Sequence, residues 1–280
     1  MARKAIKTVG LIGLGKMGLP IARHLLKKRF TVIGCDVNPA ALKKARALGA
    51  RTAKTPSDVA ANSDLVIVLV GFDSEVDLAL FGAEGIVAGA KPGLIVAVSS
   101  TVAPAYMRGL PERMNGPKIA FVDAPLCRGE PAAESGTLLV MGGGDKAAFE
   151  ACRPVFSAFS NAVHYLGKLG SGQVGKMVNN LILWGCSAVN HEGLKLASSL
   201  GLDEELLRKA LLQSSAQNWA LEMWRNFGLM PWAEKDMTIV LQEADEARIS
   251  LPVCGTVKEV VKGIKIERGY PMPKSAPKKR

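Results

Sequence analysis

The stretch Thr8–Asp36, TVGLIGLGKMGLPIARHLLKKRFTVIGCD, decides how this chain reads. Val9–Ile12 is a short apolar run that predicts a strand. The loop Gly13-Leu14-Gly15-Lys16-Met17-Gly18 follows, and Leu19–Lys28 then puts Ile21, Leu25 and Leu26 on one side of a helix. Thr31–Cys35 predicts a second strand, which ends at Asp36. A lone G-x-G-x-x-G is weak evidence. With a strand before it, a helix after it and an acidic residue closing the next strand, it is specific for a dinucleotide. Gly13 permits the tight turn and Gly15 lets the backbone approach a pyrophosphate. Gly18 lets the helix pack closely, and the helix N-terminus offers free N–H groups and a positive dipole end. Leu14 and Met17 complete the cofactor-facing loop. Asp36 would accept hydrogen bonds from the adenine ribose and repel a 2′-phosphate, so NAD is expected in preference to NADP.

Outward from this unit the alternation continues. Ala41–Leu48 and Pro56–Asp64 predict helices, with Pro56 suited to a first helical position. Leu65–Val70, Leu94–Ser100, Lys118–Pro125, Thr137–Gly143 and Ala162–Gly167 predict strands, and Asp145–Phe159 a helix. A doubly wound α/β sheet explains the series, and Thr101 falls beyond a strand end, where such sheets bind ligands. A glycine-rich lead-in then opens a long helix from about Gly172 to Leu200. Leu181, Ile182, Leu183 and Trp184 make its middle apolar nearly all round, which predicts burial on every face. Lys176 and Asn180, spaced i, i+4, share one side of it, with Gln173 one turn earlier. A lysine near the start of a buried helix is hard to explain by solubility. On spacing alone, an exposed first-turn lysine is the alternative.

Bulk composition narrows the class. The 280 residues are 48% hydrophobic and 5% aromatic with 29 glycines, as in an α/β enzyme. The start lacks an apolar signal-peptide core, and no apolar run is long enough to span a bilayer. Five scattered cysteines without a C-x-x-C read as reduced thiols, so a cytoplasmic protein is expected. With three histidines and no ligand spacing, no metal is expected; His191 reads as a core or interface residue. The net charge of +11 lies mostly at the ends: +3 in residues 1–7 and +6 in residues 258–280, leaving +2 between. Basic termini that aid solubility are the first reading and a nucleic-acid surface the lesser one.

Four segments together resemble the β-hydroxyacid dehydrogenases, the group that includes 3-hydroxyisobutyrate dehydrogenase and tartronate semialdehyde reductase. They are GLIGLGKMGLPIARHL (Gly10–Leu25), DAPLCRGEPAAESGTLLVMGG (Asp123–Gly143), GSGQVGKMVNN (Gly170–Asn180) and WAEKDMTIVLQEA (Trp232–Ala244). The resemblance implies a Rossmann-type α/β domain (1–168) and an all-α domain that begins with the long interdomain helix (169–268); the basic, Pro/Lys-rich tail (269–280) is expected to lack structure on its composition. It implies that Lys176 is the general acid/base and that Asn180 orients the substrate. It places Val70, Thr101 and Lys235 at the cofactor, and it implies a homodimer or homotetramer.

Two departures point to an altered pocket. Where the family reads Asp-x-Pro-x-Ser-Gly-Gly, this chain has Cys127, Arg128 and Gly129 after Asp123-Ala-Pro125-Leu. A thiol is a poorer donor than a hydroxyl, and a guanidinium is a planar fork for a carboxylate or phosphate. Arg128 is therefore expected to anchor the anionic substrate, a hydroxy acid or aldehyde, together with Cys127 and Gly129. An outward-pointing Arg128, or one paired with Glu130 or Glu134, is the alternative. The segment before Lys235 is short and places Trp232 beside the substrate. Two other functions stay open: an NADPH-dependent reductase of another carbonyl or imine, and a non-catalytic dinucleotide sensor or nucleic-acid-associated relative. The presence of Lys176 speaks against both.

Overall fold

A computed structural model of the chain describes residues 5–114, 119–224 and 230–271. Of the tail 269–280, all but the first three residues lie outside these, as do Lys118 and 226–229 of the short segment before Lys235. The chain divides into one unit through Lys176 and a second from Met177.

The first unit opens with β1 (Thr8–Ile12), α1 (Gly18–Lys27), β2 (Thr31–Cys35), α2 (Pro39–Ala47), β3 (Arg51–Thr52), α3 (Pro56–Ala61) and β4 (Leu65–Val68). Next come α4 (Asp73–Phe81), α5 (Ile86–Gly89), β5 (Ile95–Val98), α6 (Pro104–Gly109) and β6 (Ala120–Asp123). It closes with β7 (Leu126–Cys127), α7 (Gly129–Ser135), β8 (Leu138–Gly144), α8 (Lys146–Phe156) and β9 (Ser160–Gly167). The sheet order is β3-β2-β1-β4-β5-β6-β8-β7, with β9 on β8. The first six strands of this order are parallel; β8 runs antiparallel to β6 and β7, and parallel to β9.

The parallel strands end on one edge, and chain order reverses between β1 and β4, where such sheets bind dinucleotides. β4 and β5 are buried at every residue, which is why they read as unbroken apolar runs. Helices cover both faces. One layer packs Ile21, Leu25, Phe149, Phe156 and Phe159 on the sheet; the other packs Val59, Val76, Leu80, Ile86 and Met107. Asn38, Thr55 and Asp145 cap α2, α3 and α8 through their side chains.

The helix α9 (Ser171–Ser199) leads into α10 (Glu204–Leu211), α11 (Trp219–Glu222), α12 (Ala233–Glu246) and α13 (Pro252–Glu267). The second unit has its own core of Trp184, Met237, Val240, Val257, Val261 and Ile264. Trp184 Nε1 donates to Asp236 Oδ2 at 3.0 Å, and buried Lys265 pairs with Glu234 at 2.8 Å, fixing the start of α12.

The expectation that the long helix is buried on every face does not hold. Ile182 is 61% exposed, Val189 62% and Leu196 60%, and half-exposed Val178 precedes them on the same face. At 100° per residue, Val178, Ile182, Val189 and Leu196 fall within one narrow stripe. An apolar circumference measures what a helix can bury. It does not require that its own chain do the burying.

Candidate active site

The glycine loop is shaped as its spacing predicts. Gly13 adopts φ +98°, and its N–H donates to Cys35 O at 2.9 Å. A Cβ on Gly18 would stand 2.1 Å from Gly13 O, so the helix lies tight against the turn. A Cβ on Gly15 would meet nothing within 4 Å, which leaves open space over the loop. α1 carries no acidic residue in its first turn and no side-chain cap, so its positive end is available to an anion. Asp36, at the end of β2, accepts from Leu14 N at 2.5 Å and from Asn38 N at 2.7 Å. These residues fit a dinucleotide: an open backbone cradle, a helix N-terminus and a carboxylate at the next strand end.

Val70 and Thr101 follow β4 and β5 on the same edge. Val70 N donates to Ser100 Oγ at 2.9 Å, which ties the two loops together. Behind them, buried Gln173 donates from Nε2 to Ser100 O at 2.8 Å and accepts from Val102 N at 3.3 Å.

Beyond β6 the structure brings Cys127 and Lys176 together. Cys127 is buried, and Lys176 Nζ donates to its Sγ at 3.9 Å. Arg128 occupies the left-handed region at φ +80°, where an L-side chain costs about 1–2 kcal/mol. Its Nη1 donates to Thr137 O at 2.9 Å and to Asn161 Oδ1 at 2.5 Å, so the guanidinium lies along β8 and β9 and pairs with neither Glu130 nor Glu134 through these bonds. Glu130 pairs instead with Lys16, and Glu134 with Arg23. Gly129, also left-handed at φ +68°, opens α7.

In the second unit, buried Asn180 accepts from Asn179 Nδ2 at 3.0 Å. Lys235 Nζ lies 5.6 Å from the centre of the half-exposed Trp232 ring, a cation–π contact. His191 packs against Trp224 and lies 3.4 Å from Glu267; burial pushes its pKa down against the pull of that carboxylate. All five cysteines are free thiols, and burial beside Asp36 and Asp58 raises Cys35 to about 11, which keeps it protonated next to the cofactor loop.

The sequence does not single out Asp123, Asn161 or the bridging role of Gln173. The one local signal was the Gly170-Ser171-Gly172 cadence, whose meaning depends on a strand end 47 residues away.

Both parts of the chain match known families. A family profile described as the NAD binding domain of 6-phosphogluconate dehydrogenase matches residues 8–167. A second, described as NAD-binding of NADP-dependent 3-hydroxyisobutyrate dehydrogenase, matches residues 170–272. The chain is similar to 2-(hydroxymethyl)glutarate dehydrogenase of Eubacterium barkeri, at 31% identity over 93% of this chain and 89% of that one. It is similar to the NAD-dependent L-serine dehydrogenase of Pseudomonas aeruginosa, at 33% identity over 81% of this chain and 74% of that one. Among solved structures it superposes on a 3-hydroxyisobutyrate dehydrogenase from Salmonella typhimurium with TM-score 0.83 and 26% identity, covering 94% and 95% of the two chains.

Proposed function

This chain belongs to the β-hydroxyacid dehydrogenase family of NAD(P)-binding oxidoreductases, and on that footing we propose that it interconverts a short hydroxymethyl acid and its aldehyde, using NAD(H). The substrates named by its relatives share one piece of chemistry. 2-(Hydroxymethyl)glutarate, L-serine and 3-hydroxyisobutyrate each carry a CH2OH group on the carbon next to a carboxylate. The observation that carries the reading is the Lys176 amine held beside Cys127, just past the sheet edge that bears the cofactor loop.

The nicotinamide, when bound, supplies or accepts the hydride. Lys176 manages the accompanying proton: it takes the proton from the hydroxyl during oxidation and returns it to the carbonyl oxygen during reduction. Asn180, one turn further along α9, orients the reacting oxygen. Asp36 favours NAD, because a 2′-phosphate would meet its carboxylate.

Arg128 recognises the carboxylate. Nη1 is held by Thr137 and Asn161, and Nε and Nη2 are the donors a planar anion would take. Turnover of NADH and NADPH, followed at 340 nm with hydroxymethyl acids and their aldehydes, tests both assignments. NADH is expected to win, and Arg128→Gly is expected to raise KM about tenfold with kcat little changed, as for a lost charge-assisted hydrogen bond. A wild-type KM in Arg128→Gly would reduce that arginine to a loop charge.

The exposed stripe on α9 is assigned to a second copy of the chain. A straight apolar face of Val178, Ile182, Val189 and Leu196 can meet itself across a two-fold axis. Ile182→Asp is expected to convert a multiple of the 29.6 kDa chain mass into a smaller species in light scattering. An unchanged mass would place the contact elsewhere.

A further inference from the structure

Asp123 ends β6 and is fully buried. A carboxylate in such a place is ordinarily paired with a cation. Its partners here are peptide N–H groups: Gly170 N donates to Oδ1 at 2.7 Å and Gln173 N to Oδ2 at 2.8 Å. Burial pushes its pKa up, a rise that these backbone bonds only partly offset. Glycines make the room. A Cβ on Gly172 would stand 2.7 Å from Oδ2, and one on Gly143 would stand 2.8 Å from Oδ1. The glycine-rich lead-in to α9 is thus a cradle for an internal anion, placed where the helix dipole favours negative charge.

Gln173 adds a second tie, from the same turn to Ser100 and Val102. Lys176 comes three residues later, close to one turn of helix. Its thiol neighbour, Cys127, lies four residues after Asp123 in the chain. One carboxylate therefore sits at the root of both members of the Lys176–Cys127 pair.

We infer that Asp123 is a positioning residue for proton transfer: it pins the first turn of α9 to β6 and so sets the place of the Lys176 amine. The inference rests on the acid/base assignment of Lys176 proposed above. An amide could not substitute. Asn offers one acceptor oxygen and one NH2 group, so one of the two peptide donors would face another donor and that side of the tie would open.

The test compares wild type with Asp123→Asn and with Asp123→Ser, a smaller neutral side chain that keeps one acceptor. In single-turnover reactions with NAD and either L-serine or 3-hydroxyisobutyrate, both variants are expected to keep the full amplitude. Their rate constant should fall about 100-fold, the scale on which a misplacement of about 1 Å acts. KM for the acid and the dissociation constant for NADH should stay within about threefold, as for an interaction that acts in the transition state. A reduced amplitude with a wild-type rate constant would mean only fewer folded molecules and would overturn the inference. So would failure of both variants to fold, which would make Asp123 a folding determinant.

A substrate-free measurement separates this inference from the enzyme reading. After reductive methylation with 13C-formaldehyde, the dimethyl-Lys176 resonance, identified by its loss in Lys176→Arg, should move in both variants. If wild type turns over neither acid, the substrate reading fails while this measurement still decides the role of Asp123. An unmoved Lys176 resonance in folded Asp123→Asn would overturn it.

Discussion

Replacing Lys176 by methionine is expected to lower kcat about a thousandfold, within the range for loss of a positioned proton donor and acceptor. Methionine keeps an unbranched stem of nearly the same reach, so the side chain can still lie toward Cys127, to which Lys176 Nζ now donates at 3.9 Å. On the proposed mechanism, what disappears is the group that holds a proton beside the reacting oxygen. Hydride transfer from the alkoxide carbon would then need the hydroxyl proton to leave to water, and the reverse step would need water to supply it. NADH binding, measured by its fluorescence, should be unaffected, since the backbone bonds that build the glycine loop do not involve Lys176. A fall in kcat of less than about tenfold would remove Lys176 from proton transfer, because general acid–base groups contribute more than that.

Gly13→Ala is the second large effect. Gly13 adopts φ +98°, and a Cβ there would stand 2.3 Å from Leu69 O. The obstacle is backbone, not the far end of a flexible side chain, so the turn itself must move. The conformational penalty and the clash together should cost about 2–4 kcal/mol. At roughly 2–4 °C per kcal/mol for a domain of this size, the melting temperature should fall by about 5–15 °C. NADH affinity should fall at least about tenfold, because the displaced loop no longer presents its N–H groups to the pyrophosphate. Gly15→Ala separates the two causes. Its Cβ would meet nothing within 4 Å, so the melting temperature should hold while NADH binding weakens. If Gly15→Ala binds NADH normally, the open space above the loop is not where the pyrophosphate lies.

Much of the fold was legible because its signals are local. Thr31–Cys35 is a strand to the residue, and β1 and α1 each start one residue before the expected positions. Strand, glycine turn and helix are all specified within 29 consecutive residues. The long helix was equally plain, since its expected limits differ from Ser171–Ser199 by one residue at each end. What could not be read depends on distant partners. The exposed face of α9 is not legible in the sequence, because hydrophobicity says which faces are apolar, not which are covered. The antiparallel course of β8 was not foreseen, since a strand carries no mark of direction. At the site, Arg128 finds Asn161 across 33 residues and Asp123 finds Gly170 across 47. Residue type suggested an anion anchor at Arg128. Only the backbone revealed that it stands in a left-handed conformation suited to glycine.

That left-handed arginine has an evolutionary consequence. Exchange for glycine would relieve about 1–2 kcal/mol of backbone strain. It would also remove the bonds to Thr137 and Asn161, each contributing about 0.5–1.5 kcal/mol in general and less at an exposed position. The two effects are of the same size and opposite sign. A lineage could therefore pass between the two residues with folding almost indifferent to the change, and, on the proposed role of Arg128, natural selection at this position would act on ligand choice. Position 128 is in that sense a crossing point, where a scaffold can trade one acid for another without first acquiring stabilising mutations elsewhere.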